Sequence, residues 1–396
     1  MTDQRIPVMV VYGTRPEAIK VAPVIRALEA SEKLRPISVV TAQHREMLDQ
    51  VNSVFGITPD VDLNLMRAGQ TLNEIAAGVI AKMDAVYAEH RPAAVLVQGD
   101  TTTVMGAAVA AFNREIPVVH LEAGLRSGNI MSPFPEEANR KLVSQIARLH
   151  LAPTEKSKNN LLAEGIASDS IVMTGNTVID ALQWAVQQPA EFSEAAVTEL
   201  YNSSRRVVLL TAHRRENLGE GVNNIGAAVS AIARKHPGVS IVWPAHRNPA
   251  VRGAIEPHIR GLDNVLMIEP VGYGEFSHLI ARSHVVLTDS GGLQEEAPTL
   301  GKPVLVMREN TERPEAVEAG TARLIGTQPD RIESEVDRLL EDPDAYREMS
   351  EAINPFGDGH AAEYSVSAIA ALLSPRKALG DPSAPAGASA DSRKGE

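Results

Sequence analysis

The feature that most restricts this chain is an alternation of short β-branched runs with longer helical stretches, sustained from Val8 to Met307. In the first half the runs are Val8 to Tyr12, Ile37 to Thr41, Ala94 to Val97, Val118 to Leu121 and Leu149 to Ala152. In the second they are Val207 to Thr211, Val239 to Trp243, Val265 to Ile268, Val285 to Thr288 and Pro303 to Met307. A strand followed each time by a helix returns parallel to its predecessor, so the pattern predicts parallel sheets with helices on both faces. It breaks over Gln183 to Ser204, a polar stretch read as a connector, and then restarts. At 396 residues the chain exceeds what one core usually organises, and two doubly wound α/β domains are expected, over 1–180 and 181–359. A helix near His360 to Leu373 closes the ordered chain, and 375–396, rich in Ala, Gly, Ser, Pro and Asp, reads as a disordered tail without function.

Composition narrows the chemistry. Aromatic residues are only 4% while hydrophobic residues reach 44%, which suits buried parallel strands better than a β-sandwich. There is no cysteine, so thiol nucleophiles, disulfides, iron-sulfur clusters and Cys-ligated zinc are excluded together. A net charge of −12 opposes extended nucleic-acid binding. No apolar run approaches a membrane span or a secretion signal, and a cytoplasmic protein without membrane partners is expected. A small anion can still bind where a few cations gather.

In doubly wound sheets ligands bind beyond the carboxyl ends of the strands. After the first run come Gly13, Thr14 and Arg15, a tight turn with a cation at a helix start, suited to a diphosphate or to an ordinary βα turn. The second and third glycines of the dinucleotide fingerprint are missing. After Val285 to Thr288 come Asp289, Ser290, Gly291 and Gly292, whose backbone N–H groups would cradle a phosphate at the start of a helix spanning Leu293 to Leu300. Glu296, one turn in, is placed to accept the hydroxyls of a ribose. His213, Arg214 and Arg215 form a cationic cluster after Thr211, and His246 with Arg247 repeats it after Trp243. Tyr273 and Phe276 are candidates to flank a base, or core aromatics. The first half supplies carboxylates: Asp100, Glu122, Glu136 and Glu137. Singly, Asp100 reads as an N-cap, Glu122 as a partner of Arg126 and the Glu136–Glu137 pair as helix-dipole partners; together they place several carboxylates about one cleft. His120 and Glu122 share the HxE spacing of zinc deaminases, but with no Cys to complete such a site no metal is expected.

Taken together, these segments resemble the non-hydrolysing UDP-N-acetylglucosamine 2-epimerase family. The matching motifs are GTRPEAIKVAPV from Gly13, TAQHREMLDQV from Thr41, QGDTTT from Gln98, HLEAGLRS from His120, PFPEEANR from Pro133, GNTVIDAL from Gly175, TAHRREN from Thr211, DSGGLQEEAP from Asp289 and NTERPEAVEAGT from Asn310. They depart from the family's usual pattern at Ser127, Phe134 and Asn310, where Thr, Trp and Thr are common. The resemblance implies a GT-B fold of two Rossmann-like domains with the ligand in the interdomain cleft and a last helix, 360–374, crossing back to the first domain. It implies UDP elimination to 2-acetamidoglucal and re-addition on the other face of C2, without cofactor or metal, in a homodimer. Carried over, Arg15, Arg140, Phe276, Ser290, Gly291, Gly292, Glu296 and Arg313 bind the UDP-sugar, and Asp100, Glu122, Glu136 and His213 are catalytic. Gln43, His44 and His246 are the allosteric candidates. A GT-B glycosyltransferase, a UDP-sugar sensor and a hydrolysing epimerase are the rival readings.

Overall fold

Two parallel sheets carry the chain, and in the computed structural model residues 3–41, 45–65, 67 and 69–374 are described. The first contains β1 (Ile6–Tyr12), β2 (Leu34–Val40), β3 (Val61–Asp62), β4 (Ala94–Gln98), β5 (Val118–Leu121), β6 (Leu149–Ala152) and β7 (Ile171–Met173), in the order β3-β2-β1-β4-β5-β6-β7. The second contains β8 (Arg206–Thr211), β9 (Val239–Pro244), β10 (Val265–Ile268), β11 (Val285–Thr288), β12 (Val304–Val306) and β13 (Ala322–Leu324), in the order β10-β9-β8-β11-β12-β13. All ladders are parallel, as helix-linked strands require. The central strands are apolar on both faces because helices cover both: Val8 to Tyr12 and Val207 to Leu210 are at most 1% exposed.

Each sheet reverses its winding once. In the first, β1 lies between β2 and β4; in the second, β8 lies between β9 and β11. The crevice at the carboxyl ends of β1 and β4, and of β8 and β11, is where such a sheet leaves room for a ligand. Gly13–Arg15 and Gly99–Asp100 follow the first pair, His213–Arg215 and Asp289–Gly292 the second. The helix Arg15–Glu29 starts sharply because Thr14 and Glu17 form a reciprocal capping box with Pro16 in the first turn, which holds Arg15 at the crevice.

Three short strands escape the sequence pattern. β3, β7 and β13 have two or three residues each and sit on sheet edges, too short to show a period. The stretch expected as a polar connector, Gln183 to Ser204, instead holds the end of the helix Thr177–Gln187 and the helix Ala195–Asn202. Isolated apolar residues anchor it: Val197 is fully buried and Phe192 packs on Tyr201 at 4.8 Å between ring centroids.

The helix Thr177–Gln187 joins the halves. It packs against Arg15–Glu29 of the first half and against Tyr273–Arg282 and Leu293–Glu296 of the second, and its Trp184 stacks on Phe55 at 4.8 Å. Phe55 in turn meets Tyr273 at 5.9 Å. The apolar core is therefore continuous from one sheet to the other. The chain returns along Asn354–Gly357 to the helix Ala361–Leu373, which packs against Arg15–Glu29, Thr177–Gln187 and β6.

Candidate active site

At the crevice between the sheets lies a cavity of about 640 Å³, walled by Arg15, Ile19 and Lys20 of the first half and by His213, His246, Tyr273, Phe276, Ser290, Gly292, Glu295, Glu296 and Arg313 of the second. A larger groove, about 940 Å³, opens at Pro117–Val118 and Arg148–Leu149, where β5 and β6 begin. It lies at the wrong end of the parallel strands for ligand chemistry, whereas the smaller cavity sits at their carboxyl ends and gathers the charged groups.

The nucleotide side is built from the loops after β8 and β11. Asp289 is fully buried and accepts hydrogen bonds from the backbone N–H of His213 (2.9 Å), the backbone N–H of Arg214 (2.8 Å) and Asn217 Nδ2 (3.3 Å). It also pairs with His213 Nδ1 at 3.0 Å, which turns Nε2 away from Asp289. Burial raises the Asp289 pKa, but His213 and the two backbone donors outweigh it and hold the group below the ordinary carboxylate range. His213 and His246 stack at 5.9 Å. Gly292 is exposed at the start of Leu293–Glu296 and a Cβ there would approach only Ser290 Oγ, at 3.9 Å. Gly291 faces the other way, toward Arg214 and Glu312. Glu296 is pushed up to about 8 by burial and by the adjacent Glu295, with Lys20 and Arg15 partly countering. Burial also lowers the Arg15 pKa.

The carboxylate side lies one layer behind Lys20. Glu122 follows β5 with φ 62, the left-handed region that a non-glycine residue enters at a cost of ~1–3 kcal/mol unless its surroundings hold it there. Here they do: Glu122 accepts from Lys20 Nζ, Gln98 Nε2 and Asn176 Nδ2, the last at 3.1 Å. Burial pushes its pKa up, yet Lys20 and Arg313 with these hydrogen bonds bring it below the ordinary value. Asp100 has the opposite balance. Burial and the nearby Glu122 raise it against the pull of Arg140 and Lys20. Asn176 Nδ2 also donates to Glu295 Oε2 at 2.6 Å, and Glu295 pairs with Arg313, so one polar chain runs from β5 to the second half.

Several sequence expectations need correcting. Glu122 does not pair with Arg126, which is taken by Glu164 at 2.7 Å; Lys20 is its partner. Asp100 is not the N-cap of its helix, because Thr101 caps it. Arg140 does not line the cavity but pairs with Asp100 at 2.7 Å and with Glu137 at 2.9 Å, as a brace for the β4 loop. Glu136 is half-buried in the first turn of Glu136–Ile146, beside a fully buried Glu137 that also accepts from the Ser127 N–H at 3.0 Å. Tyr273 and Phe276 both line the cavity, Tyr273 buried and Phe276 half-buried. Gln43 and His44 lie outside the described residues. His120 Nε2 donates to the Gly99 carbonyl at 2.8 Å, and burial drives its pKa down to about 4. The one group of candidate metal-binding side chains among the described residues is elsewhere, at His236, Asp337 and Glu341.

Comparison with known proteins decides what this site belongs to. Residues 26–370 match the family described as UDP-N-acetylglucosamine 2-epimerase. The chain belongs to that family. A relative named probable UDP-N-acetylglucosamine 2-epimerase from Ralstonia nicotianae is 51% identical over 92% of this chain and 99% of its own length. The epimerase of Neisseria meningitidis serogroup A is 49% identical over 91% and 98%. Among solved structures, an epimerase from Listeria monocytogenes superposes with a TM-score of 0.88 at 44% identity, covering 93% of this chain and 97% of that one. The Neisseria meningitidis epimerase bound to UDP-GlcNAc gives 0.80 at 47% identity, covering 92% and 99%. A glycosyltransferase from Rickettsia africae, 12% identical with a TM-score of 0.61, shares the two-domain GT-B fold and nothing more specific.

Proposed function

We propose that this chain interconverts UDP-N-acetylglucosamine and UDP-N-acetylmannosamine by eliminating UDP to 2-acetamidoglucal and adding it back with C2 inverted. The observation that carries the reading is the pair of carboxylates with opposed environments: Glu122, kept ionised by Lys20 and Arg313, and Asp100, pushed toward the protonated form by burial and by Glu122. Two carboxyl groups whose environments separate their pKa values are suited to base and acid work. Named relatives were solved with UDP-GlcNAc, and with UDP-GlcNAc and UDP together, which supports the substrate.

The C2 hydrogen of the sugar is not beside a carbonyl and is too weakly acidic for a carboxylate while the anomeric bond is intact. Departure of UDP must lead. The Ser290–Gly292 turn, Arg15, His213 and Arg313 line the cavity where the diphosphate charge grows, and stabilise it. As C1 gains oxocarbenium character the C2 hydrogen becomes acidic, and Glu122 takes it. Asp100 supplies the proton for the opposite face, and Glu136, in the first turn of Glu136–Ile146, is a further carboxylate assigned to proton handling. Glu296 accepts the ribose hydroxyls, and Phe276 flanks the base. No step needs a metal or a redox cofactor, and EDTA is expected to leave turnover unchanged.

The reading is tested by incubating the protein with UDP-N-acetylglucosamine in D2O without an acceptor. Deuterium at C2 in a mixture of both epimers is expected. Unlabelled sugar with no epimer overturns the proposal in favour of a transferase or sensor, and UDP released at the turnover rate overturns it in favour of hydrolysis.

A further inference from the structure

We infer that Asn176 is a positioning residue that ties the orientation and charge of Glu122 to Glu295 on the nucleotide half, so that the two sides of the cleft are set together. The inference rests on the function proposed above. Its basis is the use made of one small side chain. Asn176 is 3% exposed and stands where the chain passes from the first sheet to the helix Thr177–Gln187. Its amide oxygen accepts from the Val178 N–H at 3.1 Å, which identifies the other end as the NH2 group. Both amide hydrogens then go to carboxylates, one from each half: Glu122 at 3.1 Å and Glu295 at 2.6 Å.

The backbone holds the side chain in place. The Asn176 N–H donates to the Phe356 carbonyl at 2.7 Å, and Gly175, at φ +83, leaves no space for a Cβ, since Phe356 O and Gly357 Cα would both lie 3.2 Å from it. Two carboxylates sharing one amide repel each other strongly away from water. The groups that face Glu122 are Lys20 from Arg15–Glu29, Arg313 from the loop after β12, Asp100 from the loop after β4 and His120 from β5 itself. Glu295 pairs with Arg313, accepts from Asn176 and lies near Lys20 and Glu296. Lys20 and Arg313 supply the countercharge, and the neutral double donor between the two carboxylates fixes how Glu122 and Glu295 face each other.

Capping alone gives a different expectation from clamping. Asp caps a helix as well as Asn does and suits the positive end of the helix dipole better, so a residue that only caps tolerates Asn176→Asp at every pH. A clamp does not. The aspartate side chain of that variant has no hydrogen to give and adds a third carboxylate beside only two cations, Lys20 and Arg313, which favours a retained proton on one of the three. A carboxyl whose folded pKa lies above its unfolded value costs nothing below the unfolded value, and stability is lost as the pH rises through the folded one.

The experiment compares Asn176→Asp with the parent from about pH 5 to pH 9 by thermal unfolding, kcat and UDP affinity. The variant is expected to match the parent in acid and fall behind as the pH rises, with Glu295→Gln in the same chain closing much of the gap. Its kcat at neutral pH is expected to fall at least about tenfold and its acid limb to move upward, while UDP affinity stays within about threefold. Equal stability across the range, or a kcat profile that superposes on the parent's, overturns the inference. A parent enzyme that fails to epimerise sinks the proposed function instead, and the unfolding comparison then still decides the role of Asn176.

Discussion

Glu122 and Asp100 end neighbouring strands, yet their surroundings drive them apart, and this gives the residue-scale predictions. Glu122→Gln and Asp100→Asn keep size and lose charge, so each is expected to lower kcat by at least about a hundredfold with little change in KM, and Glu136→Gln to do the same more weakly. Near-normal turnover in all three removes the assignment of roles. Glu296 offers a second test. Its pKa, raised to about 8, lies above the unfolded carboxylate value, so its ionisation costs stability that is retained in acid and lost as the pH rises toward 8. Glu296→Gln is therefore expected to raise Tm relative to the parent at alkaline pH and not near the unfolded value, by about 1 °C for each kcal/mol relieved. A pH-independent difference counts against it. At this scale the sequence displayed the residue types and hid their partners. Lys20 and Glu122 stand 102 positions apart, His213 and Asp289 76, and Asn176 and Glu295 119, and no local spacing connects them.

At the scale of elements, the turn Ser290–Gly292 has a property that the fold itself does not require. Nothing but Ser290 Oγ comes near a Cβ at Gly292, and its φ of −64 suits any residue. Gly292→Ala is thus expected to fold with a Tm close to the parent's, since the change avoids every large destabilising mechanism. UDP binding is expected to weaken about tenfold or more, because the methyl group stands where the diphosphate must approach the backbone. Unchanged UDP affinity by calorimetry refutes the cradle. The central strands were legible because burial on both faces leaves continuous β-branched runs, such as Val285 to Thr288 and Val118 to Leu121. β3, β7 and β13 were not, because two or three residues at a sheet edge carry no pattern. The helix Ala195–Asn202 was hidden in a polar stretch since a single buried residue, Val197, anchors it.

At the scale of the molecule, the two-domain architecture followed from length and alternation, while the way the halves connect did not. The chain crosses between them twice, at Gly175–Asn176 and at Phe356–Gly357, and the crossings lie side by side: Asn176 bonds to Phe356, and a Cβ on either glycine would press on the other. Gly175→Ala is accordingly expected to destabilise the whole protein by about 1–3 kcal/mol, through both its backbone angle and the lost space. A Tm equal to the parent's contradicts it.

Two crossings laid together behave like the pins of a door hung on a single line. One pin would let a lobe swing and swivel in any direction; two adjacent ones favour rotation about one axis and resist twisting about the rest. On the function proposed above, closure about that axis would return the same faces to the same register around a hexose parted from its nucleotide.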